Sequence, residues 1–358
     1  MKGEKKKLLI IAGVLVGLVV LVTIILLVFH ALTNTKMTYS KLEEEVLSAS
    51  KKYYTENKKL LPENGKQISI TDSTLTAAGF LKNMSELAKP LNASCTAEVF
   101  VTNNNGSYRY TPILNCGDKY NTKTLTGYIT SKGTVVSGEG LYQLNGELVY
   151  RGERPNNYVK ISGKMFRIVK ITDNKALLIY DEKTESIIWD NRYNIERKFS
   201  DGINDYSVSR IYDNTVAFDE IKESDMELFA KQTLYTGKRG EADVYNDGSI
   251  EKTNILENQV FGLLPLYDYI NASIDENCIS AKTRSCSNYN YLNKYDYNWW
   301  TITGDTDTTY KVYRVADNGS IDLIRANSYG YLRPTVLLES DVLYVSGDGS
   351  YEKPYIVK

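Results

Sequence analysis

The sequence opens on a short basic segment that is followed by one long apolar run. Residues Leu8 to Phe29 carry no charged side chain, and four lysines lie within the seven residues before them. A helix of about 20 apolar residues crosses a bilayer, and lysine-rich flanks stay on the cytoplasmic side. The pattern predicts a cytoplasmic basic tail over 1–7 and a transmembrane signal-anchor helix over 8–30. The chain is then a single-pass protein of the cell membrane, with its N-terminus cytoplasmic and its C-terminus extracellular.

A cleaved signal peptide is the alternative reading of this run. The apolar core of a signal peptide is shorter, about 7–15 residues, and ends at a small-x-small site. Residues 28–32 fit such a site poorly, so an uncleaved anchor that contacts the lipid bilayer is favoured. Gly13 and Gly17 have the GxxxG spacing that packs membrane helices together, which predicts a weak homodimer through this segment.

The segment after the apolar run has the 3.6-residue period of an amphipathic helix. Ser40 and Glu43 have the spacing of a capping box, and Pro62 is expected to end the helix. A shorter helix is predicted over Leu75–Phe80. The apolar stripe of the long helix consists of Leu42, Val46, Ala49, Tyr53 and Leu60.

A β-hairpin is predicted behind these helices. Residues 97–102 and 107–111 are joined by an Asn-Gly turn, which is a strong hairpin signal. Folding at this turn would bring Cys95 and Cys116 opposite each other, at the separation that a disulfide requires.

The four cysteines of the chain are predicted to form two local disulfides. Cys95 is assigned to Cys116 and Cys278 to Cys286, because each pair lies within one predicted domain and an even count outside the cytoplasm favours disulfides. The two other pairings and free buried thiols are the alternatives. No CxxC spacing occurs, so a zinc knuckle or a thioredoxin-type site has no support.

The second half of the chain alternates in the manner of β-strands. A Gly-rich linker over 129–140 divides a first domain, 37–128, from a second, 141–358. Ser224 and Glu227 form a second capping box, which predicts a helix over 225–231, and another helix or strand–helix junction is predicted over 263–270. The predicted strands are 148–150, 158–161, 164–171, 176–180, 311–315, 320–325 and 335–338.

Charge and composition exclude several classes of function. The net charge is −1, so the electrostatic drive for nucleic-acid binding is missing. His30, the single histidine, lies at the membrane boundary, which excludes histidine-based catalytic and zinc sites. No P-loop, GxSxG or Rossmann motif occurs, and no catalytic residue or cofactor is predicted. Asp305 and Asp307 are the alternative, as oxygen ligands for Ca²⁺.

The first part of the chain resembles the type IV pilin-like domains of Gram-positive bacteria. The resemblance covers about residues 8–125 and is carried by the apolar run, KKYYTENKKLLPE, and the cysteine-bracketed hairpin CTAEVFVTNNNGSYRYTPILNC. It departs from those pilins because no processing motif precedes Leu8 and the apolar run contains no Glu. We therefore expect a stalk or spacer over 37–128 rather than a filament subunit.

The second part resembles surface modules of Gram-positive bacteria that have the C-type-lectin-like fold, which is also the fold of formylglycine-generating, sulfatase-modifying enzymes. The resemblance covers about residues 140–358. Five blocks occur in the same order, namely RPNNYVKISGKMFRIVKI, VFGLLPLYDYINAS, NYLNKYDYNWWTITG, YRVADNGSIDLIRANSYGYLRPTV and SGDGSYEKPYIV.

The resemblance implies roles for two groups of residues. The block from Asn288 to Asn298 lies near the ligand face of such modules, and Tyr and Asn suit adaptable recognition surfaces, although a plain Tyr-rich loop and core is the favoured alternative. Trp299 and Trp300 are expected to pack in the core, and Arg333 is expected to donate hydrogen bonds to loop carbonyls. The candidate ligand surface comprises Tyr289, Tyr291, Tyr295, Tyr297 and Asn298.

The predicted fold class is α+β, with an N-terminal transmembrane helix, a small pilin-like α+β domain and a larger β-rich C-type-lectin-like domain. The predicted function is the display of an extracellular binding or adhesion module, for an unknown protein or glycan ligand, on a pilin-like stalk. The alternatives are a component of envelope or pseudopilus assembly, and an enzyme on a formylglycine-generating scaffold that would use Cys278 and Cys286.

Overall fold

The computed structural model of the chain describes residues 37–104, 106–192, 196–243, 248–278, 284–294 and 296–358. The predicted transmembrane segment 8–30, with Gly13, Gly17 and His30, lies outside the described residues. So does Tyr295.

The described residues form α-helices that are mostly short. α1 has 18 residues, and the other helices have between four and seven. Short 3₁₀ segments cover Lys58–Leu60, Lys89–Leu91, Gly117–Lys119, Tyr206–Val208, Glu223–Leu228, Glu251–Thr253 and Arg284–Ser287. The α-helices are α1 (Tyr39–Glu56), α2 (Asp72–Ala77), α3 (Met84–Leu87), α4 (Leu125–Thr130), α5 (Arg210–Val216) and α6 (Leu266–Asn271).

Most of the regular structure is β. The strands are β1 (Gln67–Thr71), β2 (Thr96–Asn104), β3 (Ser107–Asn115), β4 (Gly140–Leu144), β5 (Glu147–Arg151), β6 (Tyr158–Ile161), β7 (Lys164–Thr172), β8 (Lys175–Tyr180), β9 (Ser186–Ile188), β10 (Phe229–Ala230), β11 (Gln232–Tyr235), β12 (Ile255–Gln259), β13 (Phe261–Gly262), β14 (Trp299–Gly304), β15 (Lys311–Val315), β16 (Ile321–Arg325), β17 (Tyr329–Tyr331), β18 (Thr335–Leu338), β19 (Tyr344–Ser346) and β20 (Tyr355–Val357).

The predicted fold class, α+β with a transmembrane helix, is wrong for the described part of the chain. None of the described helices combines the length and apolarity that crossing a bilayer requires. The described chain is instead dominated by β-structure, because short alternating or continuous apolar runs, separated by turn residues, favour strands.

The chain divides into two compact units, each made of more than one segment. Among the described residues, unit 1 comprises residues 37–58, 70–99 and 112–121, and unit 2 comprises residues 59–69, 100–111 and those from 122 to 358. The domain boundaries that were placed at 128 and 140 stay a prediction.

The helix α1 is the main element of unit 1. Its cap is Thr38, whose hydroxyl accepts a hydrogen bond from the Lys41 amide, so the predicted capping box at Ser40 does not start the helix. The helix ends at Glu56, before the predicted Pro62. Its buried positions are Leu42, Val46, Ala49, Ser50 and Tyr54.

The predicted hairpin forms β2 and β3, in a three-stranded sheet of order β1-β2-β3. Cys95 and Cys116 are joined by a disulfide, which confirms this predicted pairing. Residues 100–111 of the hairpin belong to unit 2. There the buried carboxylate of Asp341 accepts a hydrogen bond from the Thr111 hydroxyl at 2.8 Å and pairs with Arg109.

The largest sheet of unit 2 has ten strands. Seven of them follow the order β10-β18-β8-β7-β6-β20-β19, β13 pairs with β18, and the β4–β5 hairpin joins at β7. Most pairs are antiparallel, but β20 lies parallel to β6, with Tyr355 opposite Val159. A second sheet of five strands has the order β16-β15-β14-β17-β9, and β11 pairs with β12.

Two clusters of buried side chains form the core of unit 2. The larger covers the ten-stranded sheet and includes Phe166, Tyr180, Tyr269 and Trp299. The second cluster lies around Trp189 and Trp300, whose rings meet edge to face with centroids 5.9 Å apart.

Candidate functional site

A cleft opens on unit 2 where β7, β8, β18, β11 and the start of α6 meet. Its volume is about 380 Å³, which is within the range of small-ligand sites. Its lining mixes apolar, hydroxyl, amide and charged groups, as is usual where a polar ligand is bound. The lining residues are Glu147, Lys170, Thr172, Asp173, Lys175, Leu177, Lys231, Gln232, Thr233, Leu234, Tyr235, Leu263, Pro265, Asp268, Thr335 and Leu337.

Three charged side chains from three elements meet at the base of this cleft, and we call them the base triad: Glu147, Lys170 and Asp268. The Lys170 Nζ atom lies 3.1 Å from Oδ1 of Asp268 and 3.3 Å from Oε2 of Glu147. The side chains are 11%, 2% and 16% exposed for Lys170, Asp268 and Glu147. The triad places two carboxylates against a single ammonium.

Burial and charge act in opposite directions on this triad. Burial by itself would lower the pKa of Lys170, but Asp268 and Glu147 outweigh it and raise that pKa, so Lys170 is an ammonium ion. Burial raises the pKa of Asp268; Lys170 opposes this rise, and Glu147 adds to it. Asp268 therefore keeps a proton more readily than an ordinary aspartate does.

The walls of the cleft come mainly from neighbouring strands. Leu177 of β8 and Leu337 of β18 are direct cross-strand partners, and both are half-buried. Gln232 fixes the position of β11, because its side-chain amide donates to the carbonyls of Val260 (3.0 Å) and Thr335 (3.2 Å). The side chains of Leu177, Leu337 and Tyr235 give the cleft an apolar side next to its charged base.

Charged residues lie at the rim of the cleft. Lys175 pairs with Glu339 at 2.9 Å, which links β8 to the end of β18. Lys231, just before β11, and Tyr235, at the end of β11, are both half-buried. A ligand in the cleft would therefore meet a cation and an aromatic ring on the same side.

The candidate ligand surface from the sequence is divided between core and solvent. Tyr291 and Tyr297 are buried, at 4% and 6% exposure, and both belong to the larger core cluster. Tyr289 is 58% exposed and Asn298 is half-buried. The structure thus does not bring these four described residues together on one exposed face, and none of them lines the cleft.

The two tryptophans and Arg333 lie fully inside unit 2. Trp299 and Trp300 are each 0% exposed. Arg333 is also 0% exposed and donates to the carbonyls of Tyr180 and Leu292, both at 3.0 Å. These contacts tie the start of β18 to the end of β8 and to a loop.

A second cluster of charged side chains surrounds the carboxylate of Asp181. Arg333 Nη2 lies 3.3 Å from Asp181 Oδ1, and Lys294 Nζ lies 2.8 Å from the same atom. Arg167 lies between two aromatic rings, with its guanidinium carbon 3.8 Å from the Tyr158 centroid and 4.6 Å from that of Tyr291. Hydrogen bonds to Asn157, Tyr158 and Pro155 occupy Arg167, so this cluster stabilises the fold.

The second predicted disulfide is also confirmed. Cys278 and Cys286 are bonded to each other, and all four cysteines of the chain are therefore in disulfides.

The predicted calcium ligands are engaged in their own turn. Asp305 is 1% exposed, and its carboxylate accepts hydrogen bonds from the Thr308 hydroxyl (2.8 Å) and the Asp307 amide (3.3 Å). Within the described ranges, no group of three or more Asp, Glu, His or Cys side chains has the geometry to hold a metal ion.

The sequence did not identify the base triad, because its members lie far apart along the chain. A signal was nevertheless present, since Lys170 and Asp268 each interrupt an apolar run, in MFRIVKI and LLPLYDYI. A charge within a buried strand or helix needs a partner. To recognise Lys170 and Asp268 as partners, one needs the tertiary arrangement of β7 and α6. Local sequence patterns do not predict that arrangement.

The chain has no match among protein-family models, curated proteins or solved structures.

Proposed function

We propose that this chain is a recognition module that acts outside the cytoplasm and binds a polar segment of a protein or glycan ligand. The observation that supports the proposal is the cleft of about 380 Å³ with its charged base and apolar wall. Its size suits one or two sugar units or a short stretch of peptide, which can combine hydroxyl or amide groups with apolar faces.

The rim of the cleft supports recognition of such a ligand. Tyr235 offers an aromatic face for an apolar patch of a sugar or side chain, and the hydroxyl of Thr233 is exposed on the same strand. Leu177 and Leu337 complete an apolar wall. Few precisely placed polar groups beside apolar surface are the usual basis of orientation and specificity.

The disulfides support the proposed compartment. Two of them are formed by four cysteines, and disulfides persist in oxidising surroundings such as the outside of a cell. The same bonds argue against the enzyme alternative. A formylglycine-type oxidase needs a reactive thiol, and the sulfurs of Cys278 and Cys286 are joined to each other.

The test is a binding screen of the full chain against a glycan panel and a panel of cell-surface proteins. For a ligand found in this way, Tyr235→Ala and Leu337→Ser are expected to weaken binding about tenfold or more, which corresponds to about 1.4 kcal/mol. Tyr289→Ala is the matched control, because Tyr289 is exposed and lies outside the cleft lining.

Each outcome of this screen has a defined meaning. Loss of affinity in the two cleft variants, with Tyr289→Ala unchanged, supports the cleft as the binding site. Loss of affinity in Tyr289→Ala alone would place recognition at the candidate ligand surface around Tyr289. Ligand binding that none of the three variants alters would overturn the assignment of the cleft.

A further inference from the structure

The base triad has the components of a condensation reaction as well as of an ion pair. An amine and a carboxyl group are held in contact, with Lys170 Nζ 3.1 Å from Asp268 Oδ1. A second carboxylate, that of Glu147, touches the same nitrogen at 3.3 Å. The three residues come from β7, α6 and β5, so the tertiary fold brings them together.

The ionised triad is costly at this position. Asp268 is 2% exposed, and its Oδ1 atom makes no hydrogen bond of good geometry among the described residues in addition to the ionic contact. Removing two opposite charges from water costs several kcal/mol per ion, and contact between them recovers this only with complete hydrogen bonding. Converting the pair into a neutral amide would remove both charges.

We propose that Lys170 and Asp268 form an intramolecular isopeptide bond between Nζ and Cγ, with Glu147 transferring the protons. This bond would join β7 of the large sheet to α6, and it goes beyond the proposed binding function. No external oxidant, nucleotide or second protein is needed, because the reaction is a dehydration within the triad.

The atoms and charges of the step balance. The Lys170 ammonium first passes a proton to the Glu147 carboxylate, and the free amine attacks Cγ of Asp268. The tetrahedral intermediate then loses one Asp268 oxygen. Nζ gives up two protons in all, and Glu147 carries both of them to that oxygen. The oxygen leaves as water, and Glu147 ends as a carboxylate. One C–O bond breaks, one C–N bond forms, and one positive and one negative charge disappear.

The geometry favours this step in two ways. Groups held in contact react with effective molarities of about 10⁵–10⁸ M, which can drive a condensation that does not occur between free amines and acids in water. Burial also raises the pKa of Asp268, so its oxygen accepts from Glu147 the proton that came from Nζ more readily, and a protonated oxygen leaves more readily than an ionised one. Glu147 lies in contact with Nζ and can take its proton directly, and a positioned base typically contributes about 10²–10⁴-fold to the rate.

The pair of Lys294 and Asp181 gives an internal comparison. Its Nζ–Oδ1 distance of 2.8 Å is shorter than that of the triad. Asp181 however also accepts a hydrogen bond from the Arg333 guanidinium, and among the described residues no second carboxylate contacts Lys294. A lysine thus contacts an aspartate in both clusters. Among the described residues, only the base triad has a second carboxylate, that of Glu147, which can carry the proton.

The test is the intact mass of the full chain, measured after denaturation and reduction. The expected mass is lower by one water than the sequence requires, and peptide mapping is expected to place the link between Lys170 and Asp268. Glu147→Gln is expected to restore the missing water while the variant stays folded, as judged by circular dichroism. Lys294→Met is the control that is expected to keep the bond.

The contrary outcomes are equally defined. A wild-type mass with no water lost, or a link that maps to other residues, would overturn the proposal whether or not the cleft binds a ligand. A bond that persists in Glu147→Gln would overturn the role given to Glu147. If Glu147→Gln does not fold, Lys170→Arg takes its place, because arginine keeps the charge but cannot form this amide; a water still missing in that variant would refute the link.

Discussion

The guanidinium of Arg239 and the carboxylate of Glu251 form a two-pronged ion pair that is closed off from solvent. Nε lies 2.8 Å from Oε1 and Nη2 lies 3.1 Å from Oε2, and the two side chains are 0% and 2% exposed. Arg239 also forms a β-bridge with Asp305, which directly follows β14. The ion pair therefore connects this end of β14 to the 3₁₀ segment Glu251–Thr253.

We expect Arg239→Ala to lower the free energy of unfolding by about 3–5 kcal/mol, because it leaves the Glu251 carboxylate buried without its partner. Chemical denaturation measures this change. Lys164→Ala is the control, since Lys164 and Glu220 are paired at the surface, with 33% and 42% exposure, where such pairs contribute at most about 1 kcal/mol. Equal losses in both variants would contradict the burial argument.

Removing either disulfide should destabilise the protein by an amount that follows the length of the closed loop. Cys95 and Cys116 are 21 positions apart, and Cys278 and Cys286 are 8 apart. The chain-entropy model gives about 3.4 kcal/mol for the first and about 2.6 kcal/mol for the second. Paired Cys→Ser variants, compared in a denaturant series, check this order; a larger loss at the 278–286 loop would show that native contacts rather than loop entropy dominate.

Alkaline pH should destabilise unit 2. Burial raises the pKa of Tyr180 to about 12, whereas an unfolded tyrosine titrates near about 10. The fold therefore holds this proton more tightly than the unfolded chain does. The resulting stability is fully present below pH about 10 and is lost as the pH rises toward about 12.

The Tyr180→Phe variant should lose less stability between these pH values than the wild type. At neutral pH it is expected to be about 1 kcal/mol less stable, because the Tyr180 hydroxyl donates to Glu182 at 3.1 Å. Denaturation at a series of pH values gives both quantities, with Tyr289→Phe, at an exposed position, as the comparison. Identical slopes in wild type and Tyr180→Phe would contradict this assignment.

Gly330 is expected to tolerate no larger side chain. A Cβ atom at this position would lie 2.8 Å from Cε2 and Nε1 of Trp300, whose indole donates to the Ile187 carbonyl at 3.1 Å. Such overpacking costs about 1–3 kcal/mol, so Gly330→Ala should be destabilised by that amount. Tyr329→Ala, one residue earlier and at a 62% exposed position, should change stability by less than about 0.5 kcal/mol.

The strands were predicted well wherever alternation and turn residues agreed. The pattern gave 158–161 and 335–338, and these are the bounds of β6 and β18. Local signals determine such elements, because β6 alternates in burial and β18 is a short apolar run that follows Pro334 and ends at Glu339. The hairpin of β15 and β16 was recovered for the same reason, with its Asp-Asn-Gly turn.

The capping boxes were poorer guides. Ser224 and Glu227 predicted an α-helix over 225–231, but the chain forms the 3₁₀ segment Glu223–Leu228 and then enters β10 and β11. Pairing of β10 with β18 fixes Phe229 and Ala230 as strand, so long-range hydrogen bonds overrode the local motif. At α1 the cap moved to Thr38 because any hydroxyl at the right position can accept from the first turn.

Side-chain placement was the least accessible to sequence. Tyr has an apolar ring and a polar hydroxyl, so composition cannot distinguish Tyr289, which is exposed, from Tyr291, which is buried two residues later. The cleft depends on the order in which β7, β8 and β18 lie side by side. That order is a non-local property, and so is the position of α6, which brings Asp268 to Lys170.

The parallel pairing of β20 with β6 has a consequence for how the polypeptide is made. β20 lies between β6 and β19 in the large sheet, so β6 has an open edge until residues 355–357 emerge from the ribosome. Contacts this distant along the chain slow folding, and an open strand edge recruits other chains. The β6 edge of unit 2 therefore stays unpaired for the whole interval between synthesis of β6 and synthesis of β20.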